Sequence, residues 1–190
     1  MLALFAFLGN FGETYGGNRH NVAWQFADTV LGDLSWQNKF HGLCAVRGDG
    51  GGGKTWFLKP QTYMNNSGES VGSLARFYKI EPRDILVVHD ELELPFGTVS
   101  LKWSGGLGGH NGLRSVTAAL GTRDFWRIRF GIGRPPHDDV AGYVLSDFLP
   151  PERDALGGVF ALAGELFRKL LVQEPGPLLA EWAKKKVSLE

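Results

Sequence analysis

The chain has 190 residues, with twenty Lys and Arg against twenty Asp and Glu, so its formal net charge is zero; 43% of residues are apolar and 21% charged. This composition fits one soluble globular domain with a sizeable core and excludes binding of an anionic polymer through global charge, so any such partner needs a local basic cluster. Cys44 is the single cysteine, which excludes an intramolecular disulfide and fits a reducing cytoplasm.

Taken in chain order, Leu2 to Leu8 is a short apolar run stopped by Gly9-Asn10, as expected of a buried strand ending in a loop. It lacks a basic flank and is too short to span a bilayer, and no later apolar run is long enough, so no membrane segment is expected. From Asn21, the apolar residues Val22, Ala23, Phe26, Ala27, Val30 and Leu31 keep helical spacing until Gly32. Leu43–Val46 and Thr55–Leu58 read as two short strands around a glycine run. Asn66 and Glu69 have the form of a capping box, opening a helix through "SVGSLARFYK". Ile85–Val88 is a strongly apolar strand, and "GTVSLKW" alternates like another. "NGLRSVTAALG" predicts a helix closed by Gly121. "WRIRFGIG" alternates again, with Trp126, Ile128, Phe130 and Ile132 on one face. After Pro151 the chain reads as helical, ending in "LLAEWAKKKV", so that residues 151–190 form a C-terminal helical part of the single 1–190 domain. Strands alternating with helices predict an α/β fold, with helices on both faces of a mixed central sheet in three layers.

Two glycine-rich stretches could each mark a site. "GDGGGGKT", Gly48 to Thr55, fits the pattern of a phosphate-binding loop, and "ILVVHDEL" thirty residues later looks like a magnesium-binding strand. A phosphate loop must lead into a helix whose N-terminus faces the phosphates. Here it leads into "WFLKP", strand-like and stopped by Pro60, through which no helix can run. The four glycines suit a flexible hairpin tip instead.

The second stretch, "GGLGGHNG" (105–112), belongs to a set of four segments that pair polar side chains with tight glycine turns. The others are "GNFGETYGGNRHN" (9–21), "KPQTYMNNSG" (59–68) and "HDELELPFG" (89–97). Three of the four come after an apolar strand, and in an open α/β sheet the loops at strand ends are where a site forms. Taken singly, Asn10 and Asn111 read as turn residues beside glycine, and His89 as a packed strand end. Their recurrence across separate loops points to a site.

These blocks, as "LGN-x-G-x-x-Y-x-x-x-RHN", "P-x-TYMN-x-SG", "HDELELP-x-G" and "GG-x-GGHNGLRS", resemble the signature blocks of the bacterial peptidyl-tRNA hydrolase family. "RIRFGIGRP" and "VAGYVLSDF" continue the match, which is close to about residue 150 and looser beyond. The resemblance implies hydrolysis of the ester joining a peptide to the terminal ribose of tRNA, which recycles the tRNA. It implies His20 as general base, Asp90 as the carboxylate orienting it, and Asn10 as the group distinguishing a blocked amine from a free ammonium. Histidine suits the task because its ordinary pKa lies near working pH. Asn65 and Asn111 are implied as lining the cleft with Met64 as an apolar wall, and His110 as assisting catalysis or shaping its glycine loop. Tyr15 and Tyr63 are implied near the tRNA end, and Lys102 with Arg129 as a clamp for its 5′ phosphate. No cofactor, metal or covalent nucleophile is implied, and a cytoplasmic monomer acting on peptidyl-tRNA is expected.

Three residues depart from the family's usual pattern: Phe11 stands where proline is usual, Asn18 where threonine is common, and Glu93 in place of aspartate. They bear on loop geometry rather than on reaction class. Two further readings stay open. One is a non-catalytic RNA-splicing cofactor or partner-binding protein on the same fold; the other is a metal hydrolase in which His20, His89, Asp90 and His110 cluster. Lys184, Lys185 and Lys186 read as a helix C-terminus complementing its dipole.

Overall fold

The computed structural model describes residues 1–48 and 53–188. In chain order the elements are β1 (Leu4–Phe7), α1 (Val22–Val30), β2 (Gln37–Lys39), β3 (Gly42–Gly48), β4 (Lys54–Pro60), α2 (Ser67–Tyr78), β5 (Ile85–Glu91), β6 (Thr98–Trp103), α3 (Asn111–Leu120), β7 (Trp126–Gly131), α4 (Val140–Val144), α5 (Pro150–Leu170) and β8 (Lys185–Lys186). The strands make one mixed sheet in the order β2-β3-β4-β1-β5-β7-β6-β8. β4, β1, β5 and β7 run parallel, while the outer strands pair antiparallel on either side.

Two cores, one on each face, explain why β1 and β5 are apolar without alternation. Phe5, Phe7, Leu86 and Val88 pack on one face against Val22 and Phe26 of α1 and Val159, Ala163 and Phe167 of α5. Leu4, Ala6, Leu8, Ile85 and Val87 pack on the other against Val71 and Leu74 of α2 and Leu113 and Val116 of α3. A parallel strand covered on both sides has no solvent face to mark with polar residues. In β7 the alternation holds: Ile128 and Phe130 join the first core, which leaves Arg127 and Arg129 on the opposite face.

The phosphate-loop pattern dissolves here. β3 and β4 are antiparallel, with Gly48 paired to Lys54 and Arg47 to Thr55, so Lys54-Thr55 opens a strand and not a helix. The tip glycines Gly50, Gly51 and Gly52 lie outside the described residues.

Two local expectations are corrected. The capping box at Asn66 does not form: α2 begins at Ser67 and no Asn66 side chain bonds to its first turn. Instead Ser67 Oγ donates to the Met64 carbonyl, and the Gly68 N–H donates to Ser115 Oγ of α3 at 2.8 Å. The two helices approach so closely there that a Cβ on Gly68 would lie 2.1 Å from the Ser115 carbonyl oxygen.

The C-terminal helical part is also shorter than expected. α5 ends at Leu170, and "EPGP" then interrupts any helix, since proline cannot continue one. Beyond a short 3-10 segment at Gly176–Leu178 the chain continues in turns past Trp182 and becomes a strand beside β6 only at Lys185–Lys186. The Leu101 N–H donates to the Trp182 carbonyl at 2.7 Å, and Lys185–Lys186 pair with Thr98–Val99. Trp182 is fully buried in the first core, which anchors this cover over an otherwise open sheet edge. The three lysines therefore do not sit at a helix C-terminus; Lys185 bonds Glu181 and lies 4.1 Å over the Trp182 ring.

Candidate active site

The loops after β1 and β4 and the end of β5 meet at the carboxyl edge of the parallel strands and border a cleft of ≈ 440 Å³. Its lining includes Asn10, His20, Met64, Asn65, Asp90, His110 and Asn111, so seven of the residues expected from the sequence are brought together.

At its base lies a carboxylate between two imidazoles. Strand alternation turns Asp90 to the face of α1, beside Leu86 and Val88, and His89 to the opposite face. His20, on a single turn just before α1, places Nδ1 2.9 Å from both Asp90 oxygens. His110 places Nε2 2.9 Å from Asp90 Oδ1. Asp90 is 2% exposed. Burial alone would raise its pKa, but the His20 charge and the hydrogen bonds from both histidines hold it well below the usual carboxylate range. Burial alone would lower the His20 pKa; the Asp90 charge and hydrogen bond outweigh that and hold it above the ordinary histidine value. With Nδ1 engaged, Nε2 on the far side of the ring is the nitrogen available to the cleft.

Asn10 is fixed by a reciprocal pair with Asn21, a residue not singled out in the sequence. The Asn10 N–H donates to Asn21 Oδ1 at 2.9 Å, and Asn21 Nδ2 donates to the Asn10 carbonyl at 2.8 Å. Asn10 Oδ1 in turn accepts from the Met64 N–H at 2.6 Å, which leaves its N–H₂ group to face the cleft. Each such buried bond contributes about 1 kcal/mol and would cost more if one partner were left unmatched.

The glycine stretch 105–112 carries His110 back from the far end of β6. Gly108 and Gly109 have φ of +58° and +74°, where side chains are disfavoured. Arg127, 1% exposed, donates to the carbonyls of Gly106 and Gly105 at 2.7 and 3.1 Å. Its burial, with Arg129 nearby, pushes its pKa down to about 10. At the other end His110 caps α3: its Nδ1 accepts from the Leu113 N–H at 3.3 Å. This cap sets the position of Asn111, the first residue of the helix.

Lys102, Arg129, Tyr15 and Tyr63 do not line the cleft. Ser100–Arg129 and Lys102–Arg127 are register pairs of β6 and β7, so the three cations share one face beside the cleft. Arg129 donates to Ser100 Oγ at 2.8 Å and lies 3.5 Å from Glu91, itself a lining residue. Burial, and then the charges of Arg129 and Arg127, lower the Lys102 pKa despite Glu91. A lysine depressed by cationic neighbours marks a field suited to an anion. Tyr15 and Tyr63 form an aromatic rim with Phe11: the Tyr63 ring centroid lies 6.5 Å from that of Tyr15 and 6.0 Å from that of Phe11.

Sequence reasoning missed two further groups. Val140, Ala141, Val144 and Leu145 form an apolar wall on α4 and the residue after it. Arg19 ties that segment to the turn bearing His20: it donates to Ser146 Oγ at 2.7 Å and to Glu152 at 2.6 Å, and stacks 4.4 Å over the Tyr143 ring. The "RHN" triplet held both Arg19 and Asn21 beside the recognised histidine, but nothing in it discloses their partners, which lie 127 and 11 positions away.

His20, Asp90 and His110 also offer three ligand atoms within 4.8 Å of one another, a set that could hold a divalent cation. His89 does not join it. Its Nδ1 donates to the Asp90 backbone carbonyl at 2.6 Å, and burial holds its pKa well below the ordinary value.

The peptidyl-tRNA hydrolase family model matches residues 4–189. The chain belongs to that family. The peptidyl-tRNA hydrolase of Treponema pallidum is 47% identical over 195 residues, covering 98% of this chain and 96% of the relative. That of Nitrosospira multiformis is 51% identical over 158 residues, covering 80% and 81%. Among solved structures, peptidyl-tRNA hydrolase from Acinetobacter baumannii superposes with a TM-score of 0.89 at 33% identity, covering 97% of this chain and 96% of that one. The mixed sheet with helices on both faces is thus the peptidyl-tRNA hydrolase fold. Among the described residues no helix is long and apolar enough to cross a membrane.

Proposed function

We infer that the chain hydrolyses the ester between a peptide and the terminal ribose of tRNA, with His20 as general base. The observation that carries the mechanism is the His20–Asp90 pair at 2.9 Å, with its second imidazole nitrogen available to the cleft. His20 Nε2 takes a proton from a water molecule as the water oxygen attacks the ester carbonyl carbon. Asp90 holds the ring's tautomer and stabilises the imidazolium. The tetrahedral intermediate then expels the ribose oxygen, which receives that proton, leaving a tRNA hydroxyl and a peptide carboxylic acid that loses the second water proton to solvent as the carboxylate.

Asn10 supplies discrimination. Its N–H₂ group can donate to the carbonyl of a blocked amine, whereas a free ammonium offers only further donors. A mismatch of buried polar groups costs about 1–3 kcal/mol, enough for useful selection. Asn65 and Asn111 suit a peptide of varying sequence, because carboxamides address backbone rather than side chains. Met64 supplies the apolar wall. The Lys102–Arg129 face suits a tRNA phosphate, and Tyr15 and Tyr63 offer faces to a base or ribose. All these residues come from one chain, so a monomer suffices, and a cytoplasmic location fits where such a substrate is made.

Cleavage of N-acetyl-aminoacyl-tRNA and of unblocked aminoacyl-tRNA, compared for wild type and His20→Ala with EDTA present, tests this reading. Release from the blocked substrate alone, abolished by the substitution, is expected. No cleavage by folded wild type would sink the enzyme and favour a non-catalytic partner-binding role; loss with EDTA alone would favour a metal hydrolase.

A further inference from the structure

We propose that His110 is a positioning residue that shares the Asp90 carboxylate with His20 and thereby sets the pH range in which His20 works; this rests on His20 being the base. Three observations converge on it. The first is tautomeric. His110 Nδ1 accepts the Leu113 N–H at 3.3 Å, so that nitrogen is unprotonated and the ring's proton sits on Nε2. Nε2 therefore donates to Asp90 Oδ1, at 2.9 Å. With both nitrogens committed, neither remains to take a proton from water.

The second observation is that the two imidazoles draw on one acceptor. Asp90 Oδ1 is 2.9 Å from His20 Nδ1 and 2.9 Å from His110 Nε2. A carboxylate that satisfies two donors leaves less of its negative potential on each, so the second N–H moderates the basicity that Asp90 confers on His20. It also keeps a buried carboxylate anionic without drawing the proton from the base.

The third is that His110 is held from beneath. The His89 ring stands edge-on to it, with centroids 5.1 Å apart, and the His20 ring lies 5.0 Å away. The titratable side chains lining the cleft are His20, His89, Asp90, Glu91 and His110, while α4 and Leu145 contribute only apolar ones. Glu91 is engaged with Arg129, and His89 donates to backbone, so His110 is the group placed to modulate the pair.

The test is the pH dependence of kcat/KM on N-acetyl-aminoacyl-tRNA for wild type, His110→Ala and His110→Gln, with thermal melts confirming that each folds. Glutamine retains one donor and one acceptor at comparable reach. Alanine is expected to move the acid limb upward by about 0.5–1 pH, and glutamine to restore it largely. Loss of activity in His110→Ala at every pH with an unmoved limb would reduce His110 to a helix cap and overturn the proposal. So would a limb that moves equally in both variants. A wild-type profile without an acid limb, or with one that a His20 ring titration monitored by NMR does not match, would instead overturn the assignment of the base.

Discussion

The chain has two glycine-rich stretches of eight residues, 48–55 and 105–112, and their contrast is instructive. The first satisfies a nucleotide-binding pattern letter by letter, yet it runs directly into strand β4, whose Lys54 pairs across to Gly48. The second satisfies no nucleotide pattern, yet it delivers a histidine to a buried carboxylate and opens helix α3 at the cleft. Glycine content is common to both. They differ in the element that comes next and in the long-range anchor, Arg127, which holds the carbonyls of Gly105 and Gly106. A motif is therefore only as good as the backbone that must surround it.

The contrast would break most visibly at Asp90, the group that the second stretch contacts. Asp90→Asn is expected to lower kcat on blocked aminoacyl-tRNA by about 10²–10³-fold. It also carries a sign. Burial favours neutral His20 and the Asp90 charge reverses this, so removing the charge leaves burial to dominate and moves the His20 titration to lower pH. His110→Ala moves it to higher pH. Ring titrations by NMR check both directions, and two shifts of the same sign would contradict the shared-acceptor geometry.

Gly112→Ala comes next in size. A Cβ there would lie 2.5 Å from Met64 Sδ and 3.0 Å from both His110 Cε1 and Leu8 Cδ1. Overpacking of this kind costs about 1–3 kcal/mol, so a lowered melting temperature is expected together with reduced activity. Gly48→Ala, whose Cβ would meet nothing nearer among the described residues than the Gly53 carbonyl at 4.0 Å, provides the matched control from the first stretch. Equal effects at the two positions would erase the distinction.

The cations sharpen it further. Replacing Lys102 and Arg129 together by alanine is expected to raise KM about tenfold for tRNA with a 5′ phosphate and to flatten its salt dependence, with kcat little changed. The smallest effect belongs to Lys54→Ala, an exposed strand residue expected to change stability by less than about 0.5 kcal/mol and activity not at all. ATP dependence of hydrolysis, or its loss in Lys54→Ala, would revive the phosphate loop.

Most of the fold was legible because its signals are local. Apolar runs, 3.6-residue spacing and the terminal Gly121 place β1, β5, α1 and α3 within a few residues of where they lie. Sequence and structure part where distant contacts override local form. Asn66 and Glu69 have the letters of a capping box, but close packing of Gly68 on Ser115 decides how α2 begins. "LLAEWAKKKV" has helical spacing, but Trp182 gains more by burial in the first core while its backbone covers β6. The polar residues of the cleft were legible through their recurrence in separate loops and their family likeness. Asn21, Arg19 and Arg127 were not, since each acts by holding a group remote in sequence.

By itself, then, the sequence determined the main strands and helices as far as the start of α5, that the sheet is covered on both faces, and which polar side chains gather at its edge. These properties stem from periodicity, turn chemistry and the exclusion of a helix by Pro60. Only the tertiary structure decided that Asp90 serves two histidines at once, which atom each ring nitrogen of His110 meets, and where the last residues run. Such properties depend on which atoms meet across the fold, and hydrogen bonds at 2.9 Å leave no trace in local sequence spacing.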